Sequence, residues 1–104
     1  MQVMKVRKLD SFKEKLFGLM FTNNINPIYF EARFGIHTFF VQDKIDVVIL
    51  DRDFKVQKIT QSLKPWRILF WNPKYFRVLE LPKGWVNLEN LSLNQKLKLQ
   101  FLSG

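Results

Sequence analysis

Hydrophobic and polar residues alternate along much of this chain, and the alternation stops at turn-forming residues. Residues 3–9 (VMKVRKL) roughly alternate, which predicts a short strand at a sheet edge. Residues 11–20 change period: Phe12, Leu16, Leu19 and Met20 recur at helical spacing, with Lys13, Glu14 and Lys15 opposite. Ser11 followed by Glu14 has the form of a capping box, in which each residue satisfies one free amide at the helix start. One short N-terminal helix is therefore expected, weakened late by Gly18 and ended by Thr22, Asn23, Asn24 and the Asn26-Pro27 pair.

From Ile28 the period becomes two. Ile28, Phe30, Ala32 and Phe34 oppose Tyr29, Glu31 and Arg33, as in a strand with one buried face. Gly35 is expected to bend or bulge the chain before residues 36–41 resume as strand. After the polar break at 42–44, residues 45–50 (IDVVIL) are almost continuously apolar, which suits a strand buried on both faces. Asp51-Arg52-Asp53 reads as a tight turn into a strand at 54–60, completing a hairpin, with a loop at 61–65. Two further strands are expected at 68–71 and 75–81 around Asn72-Pro73, no more than a turn of helix at 85–91, and a last strand at 96–102. The pattern is mainly β: a compact β-sandwich or barrel of six or seven short strands, forming one domain over residues 1–104.

Composition strengthens that reading. Hydrophobic residues make up 47% of the chain and aromatic ones 15%, including eleven Phe, so there is apolar surface enough to offset the entropy of ordering. Ala32 is the single alanine, which tilts usage further toward sheet. The absence of cysteine excludes disulfides, thiolate metal sites and a cysteine nucleophile. The first ten residues lack the apolar run of a secretory signal, and no stretch approaches the roughly 20 apolar residues of a membrane span, so a cytoplasmic location is expected. The net charge is +8, with basic residues gathered at 5–15 and again at 64–83. An anionic partner such as nucleic acid would answer that charge. Without a binding motif, solvated lysines answer it more simply.

Five ordered blocks bring in a family. Gly18-Leu19-Met20, Gly35-Ile36-His37-Thr38-Phe39, the run from Ile45 to Asp51, Lys64-Pro65-Trp66-Arg67, and the run from Val78 to Gly84 together resemble the motifs of domain-of-unknown-function family 192, over about residues 16–100. The resemblance implies a compact β-sandwich or barrel with a short helix, and no established biochemical role. The chain departs from the family pattern in three places: at 40–44 (FVQDK), at Phe54, where the hairpin turn normally has Gly, and at Asn94-Gln95, which replaces a Gly-Asp turn.

Candidate chemistry falls within the same blocks. His37, the only histidine, is either an acid–base group near neutral pH or a core residue bonded to backbone, and the second reading is favoured. Asp46 opens an apolar strand and needs a partner there, either Arg67 or the amides of a turn. Glu80, between Leu79 and Leu81, faces the same demand. Asp51 and Asp53 match a cation loop only in part and read as turn caps. Trp66, Trp71, Tyr75, Phe76 and Trp85 with Arg67, Lys74 and Arg77 suit either a core or an aromatic–basic surface, and Trp66-Arg67 is the pair least suited to a core. His37, Asp46, Trp66, Arg67 and Glu80 are thus candidate ligand-binding residues. The leading expectation is a non-catalytic ligand-binding domain for an unknown ligand, without cofactor or metal. The alternatives are a small hydrolase-like enzyme using His37, Asp46 and Glu80, and a basic nucleic-acid-binding module.

Overall fold

The continuous apolar run at 45–50 becomes the inner strand around which the other elements pair. A computed structural model describes residues 3–8, 27–33, 35–37 (backbone alone at His37) and 43–102. The predicted N-terminal helix and most of the 40–44 loop lie outside the described residues. Eight strands are seen: β1 (Val3–Lys8), β2 (Ile28–Glu31), β3 (Gly35–His37), β4 (Ile45–Leu50), β5 (Val56–Leu63), β6 (Ile68–Phe70), β7 (Arg77–Pro82) and β8 (Lys98–Phe101). A single-turn helix, α1 (Trp85–Leu88), joins β7 to β8. Among the described residues no helix is long and apolar enough to cross a membrane.

Six strands form one mixed sheet in the order β5-β4-β7-β2-β1-β8, and β3 pairs with β6 in a separate ribbon. β1 runs parallel to both β2 and β8, so it lies inside the sheet and not at the edge expected for it. Alternation reports which face a strand buries, not how many neighbours it has. The two end strands of the sheet are drawn together near their first residues. Lys55 bridges Lys96, the Val56 amide donates to the Gln95 carbonyl at 2.9 Å, and the Leu97 amide donates to the Phe54 carbonyl at 2.9 Å. That closure fits a barrel-like curvature.

β4 is buried along its whole length and feeds two cores by its period of two. Val48 and Leu50 join Met4, Val6, Tyr29, Val56, Leu79 and Leu81 in the first. Ile45, Val47 and Ile49 join Ile28, Phe30, Trp71 and Val78 in the second. Each such side chain contributes roughly 1.5–3 kcal/mol by leaving water. The β3/β6 ribbon lays Ile36 and Leu69 against the second core. Gly35 permits this pairing, because a Cβ at that position would stand 2.5 Å from the Leu69 carbonyl oxygen. Gly35 therefore opens a strand where a bend or bulge was expected.

β5 starts two residues later than the pattern suggests and runs through the predicted loop at 61–63. Ile45 pairs with Leu63 and Val47 with Thr60, so Gln61 and Ser62 together oppose Asp46. This is a β-bulge, and Ser62 takes φ 55° within it. The extra residue breaks the alternation, and a bulged strand reads as a loop in sequence.

Candidate functional site

The bulge in β5 explains Asp46. Two residues of β5 are squeezed opposite one of β4, and the Ser62 amide swings inward. It donates to Asp46 Oδ1 at 2.9 Å. Asp46 Oδ2 accepts from the Val86 amide at 3.0 Å. α1 begins after Gly84, which has φ 86° and no side-chain cap, so the first turn takes its acceptor from a strand forty residues away. Asp46 is 0% exposed, and its partners are the amides of two turns and not Arg67.

Glu80 is equally buried, at 1% exposed, and stands in a different setting. Its register partners are Ile28 on β2 and Val47 on β4, both in the second core. Asp46 pairs with Leu81, in the first core. The two carboxyls thus occupy adjacent strands, one register step apart, on opposite faces of the sheet. Neither Oε1 nor Oε2 of Glu80 has a hydrogen-bond partner among the described residues. Burial pushes the carboxyl up to about 8, so it stays protonated at neutral pH and offers one O–H donor and one carbonyl acceptor.

Trp66 and Arg67 sit in the turn between β5 and β6, at the end of the ribbon that covers the Glu80 face. Trp66 takes φ 63°, a left-handed conformation that is strained for a bulky side chain, and its side chain is 57% exposed. Arg67 Nη1 lies 3.5 Å from the Trp66 carbonyl oxygen. Ile68 and Phe70 continue the exposed side of the ribbon. His37 pairs through its backbone with Ile68, and its side chain lies outside the described residues. The structure thus associates Trp66, Arg67 and the His37 backbone with the ribbon over the Glu80 face, and puts Asp46 on the other side of the sheet.

The remaining aromatics divide. Trp71 is buried and donates from Nε1 to the Tyr75 carbonyl at 2.9 Å, while Trp85 packs on the first core. Asp51 caps its turn, with Oδ1 accepting from the amides of Asp53 at 2.8 Å and Lys55 at 3.0 Å. Partial burial raises the Asp51 carboxyl, but those amides and Gln57 Nε2 outweigh it and hold it below the usual range. Among the described residues no group of three His, Cys, Asp or Glu is placed to hold a metal ion.

One cluster escaped the sequence reading. Arg77 Nη1 donates to the Tyr29 hydroxyl at 2.7 Å, and that hydroxyl donates to Glu31 Oε2 at 2.9 Å. Burial pushes the Tyr29 hydroxyl up to about 12, against the lowering pull of Arg77. The Arg77 guanidinium also lies 4.1 Å from the centre of the Phe54 ring and 4.8 Å from that of Phe76. The available signal was that Tyr29 and Glu31 share one side of a strand. Only pairing Glu31 with Arg77 across β2 and β7 reveals the ion pair. Two open clefts flank this end of the sheet. One, of about 420 Å³, is lined by Asp51, Arg52, Asp53, Lys74, Tyr75 and Phe76. The other, of about 400 Å³, is lined by Phe54, Lys96, Leu97, Lys98, Leu99 and Phe101.

Comparison with known proteins gives a family from sequence and a fold from shape. The family profile of uncharacterised proteins that defines domain-of-unknown-function family 192 matches residues 1–99. A UPF0127 protein of Pyrococcus horikoshii is 37% identical over 86 residues, covering 77% of this chain and 74% of its own. A second, from Pyrococcus abyssi, is 33% identical over 100 residues, covering 90% and 85%. Among solved structures, a protein of unknown function from Novosphingobium aromaticivorans superposes with a TM-score of 0.72 at 17% identity, over 88% of this chain and 70% of that one. A Sinorhizobium meliloti protein reaches 0.77 at 17% identity, over 88% and 78%. Likeness at that identity speaks for the fold alone.

Proposed function

The chain belongs to domain-of-unknown-function family 192, a family of uncharacterised proteins, and within it we propose that this member is a non-catalytic domain that binds a small ligand at the Glu80 face. Trp66 and Arg67 form the rim of that site, with His37 on the neighbouring strand. The observation that carries the reading is the Glu80 carboxyl, wholly buried with both oxygens unpartnered among the described residues. A buried polar group without a partner destabilises the fold, and a ligand that supplies the missing hydrogen bonds removes that penalty. A neutral carboxyl beside apolar Ile28 and Val47 suits a small uncharged molecule with a donor and an acceptor side by side, such as an amide.

A hydrolase-like pocket using His37 with Asp46 or Glu80 is the less favoured reading, because Asp46 is engaged by two amides on the far side of the sheet from Glu80. The test is titration of the whole chain with a panel of small amides and alcohols, followed at the Glu80 side-chain carboxyl carbon in NMR spectra at pH 6.5. The expected result is a saturable shift at that carbon, and loss of the matching shift in the ligand's own signals when Glu80→Leu replaces the wild type. Saturable binding that leaves the Glu80 carbon unmoved, and that persists in Glu80→Leu, overturns the reading.

A second reading has its own support, since an exposed Trp66 beside an exposed Arg67 is a stacking platform for a nucleobase. Under it, a labelled single-stranded oligonucleotide binds at low salt and weakens steeply as salt rises. No binding at low salt removes it.

A further inference from the structure

The outer edge of the chain leading into β8 is paired up to Leu97 and then left open along β8 itself. At its start, Gln95 and Leu97 face the first residues of β5, bonded to Val56 and Phe54. At its end, Leu102 turns the other way and donates to the Val6 carbonyl of β1 at 2.8 Å. Backbone groups alternate sides along a strand, so the amides of Leu99 and Phe101 face the open edge as the Leu97 amide faces Phe54, while their side chains stand out of the plane of the sheet. β8 is the last strand of the sheet, and no described strand lies beyond it. The partner chain leaves because Phe54 enters the Asp51 turn, donating its amide to the Asp51 carbonyl at 3.0 Å.

The space that opens there is the cleft of about 400 Å³ between Phe54 and Phe101. Both rings are held from behind. Arg77 lies 4.1 Å from the centre of the Phe54 ring, and Tyr29 meets Phe101 edge-on at 5.3 Å between ring centres. Phe54 sits at φ 64°, strained for an aromatic residue, and strain of this kind collects at ligand clamps. Leu97 and Leu99 turn inward while Lys96 and Lys98 are exposed, and the lining contains no acidic residue.

We infer that this edge takes an extended peptide as an added antiparallel strand, one whose acidic and apolar residues alternate. The open amides of Leu99 and Phe101 supply the ladder, the Phe54–Phe101 cleft takes the apolar side chains, and Lys96 and Lys98 meet the acids. Charge argues against a second copy of this chain as the occupant. Each copy carries a net charge of +8, and β8 (KLQF) brings no acid to meet the Lys98 of another copy. This site lies apart from Glu80 and stands independently of the ligand proposed there.

The experiment is fluorescence anisotropy at low salt with a labelled peptide of about seven residues alternating Glu and Val. Two backbone N-methylated forms, one for each alternate set of amides, and a peptide with the same residues in two blocks serve as controls. Saturable binding is expected, with about tenfold weakening in the Lys96→Glu/Lys98→Glu variant. Methylation of one set of amides, but not the other, is expected to abolish it. The lysines are exposed, and an unchanged thermal melt of the variant shows that it folds. Equal binding by both methylated forms, by the block peptide or by the variant overturns the proposal. So does the absence of binding by the wild type, and self-association of the variant in that case would assign the lysines to keeping bare edges apart.

Discussion

Asp46 and Glu80 are both wholly buried carboxyls, on adjacent strands and within one register step of each other, yet the two sides of the sheet treat them in opposite ways. On one side, the bulge in β5 and the start of α1 each turn an amide toward Asp46. On the other, Glu80 stands among Ile28, Val47 and Val78 with no described group to bond. The contrast teaches that burial alone says little about what a carboxyl does. Asp46 ties the β5 bulge and the start of α1 to β4. A buried carboxyl without a partner costs stability, and that cost is the ground for the ligand proposed at Glu80.

The largest expected effect breaks the Asp46 side. Asp46→Ala removes the acceptor of the Ser62 amide and of the buried Val86 amide, and a loss of about 3 kcal/mol is expected from the two hydrogen bonds. Urea denaturation measures it, and a loss under about 1 kcal/mol would refute the role given to Asp46. Next comes the pH dependence of Glu80. An ordinary glutamate ionises near 4.5 in the unfolded chain and this one near 8 in the folded chain, so the folded state holds the extra proton between those values. That stability is fully present below pH 4.5 and is lost as the pH rises through 8. Its slope is about 1.4 kcal/mol per pH unit, or about 3 kcal/mol from pH 5 to pH 7. Subtracting the profile of Glu80→Gln from that of the wild type isolates it, and parallel profiles would remove the claim.

Smaller effects sharpen the comparison. At pH 5, where the stability lost to ionisation is still under about 1 kcal/mol, Glu80→Leu is expected to gain about 1–2 kcal/mol by removing unpaired oxygens from an apolar face. A loss of comparable size would mean that Glu80 has a stabilising partner. Glu80→Gln keeps both shape and polarity. It is expected to stay within about 1 kcal/mol of the wild type at pH 5, so the pair of variants separates polarity from charge.

The turn residues show how departures from a family pattern become legible once dihedral angles are known. Phe54 takes φ 64° and Asn94 takes φ 68°, at the two positions where the family resemblance implies Gly. Asn tolerates that region through its short polar side chain, whereas Phe does so under strain. At 94 the side chain suits the left-handed backbone. The one at 54 adds a ring that lines a cleft and stacks on Arg77. From the residues alone the two departures look alike.

The order of apolar and polar residues determined the mainly β fold, most of the strands, the fully buried run at 45–50, and the need of Asp46 for a partner within it. Those follow from local periodicity and from the cost of burying a charge, which require no knowledge of neighbours. Tertiary structure decided the rest. Strand order placed β1 inside the sheet, and the bulge at Ser62 turned an apparent loop into strand and gave Asp46 its first amide. The register of β4 against β7 then sent Asp46 and Glu80 to opposite cores. A sheet alternates faces at every residue, so a single step of register separates two carboxyls that the sequence had grouped together.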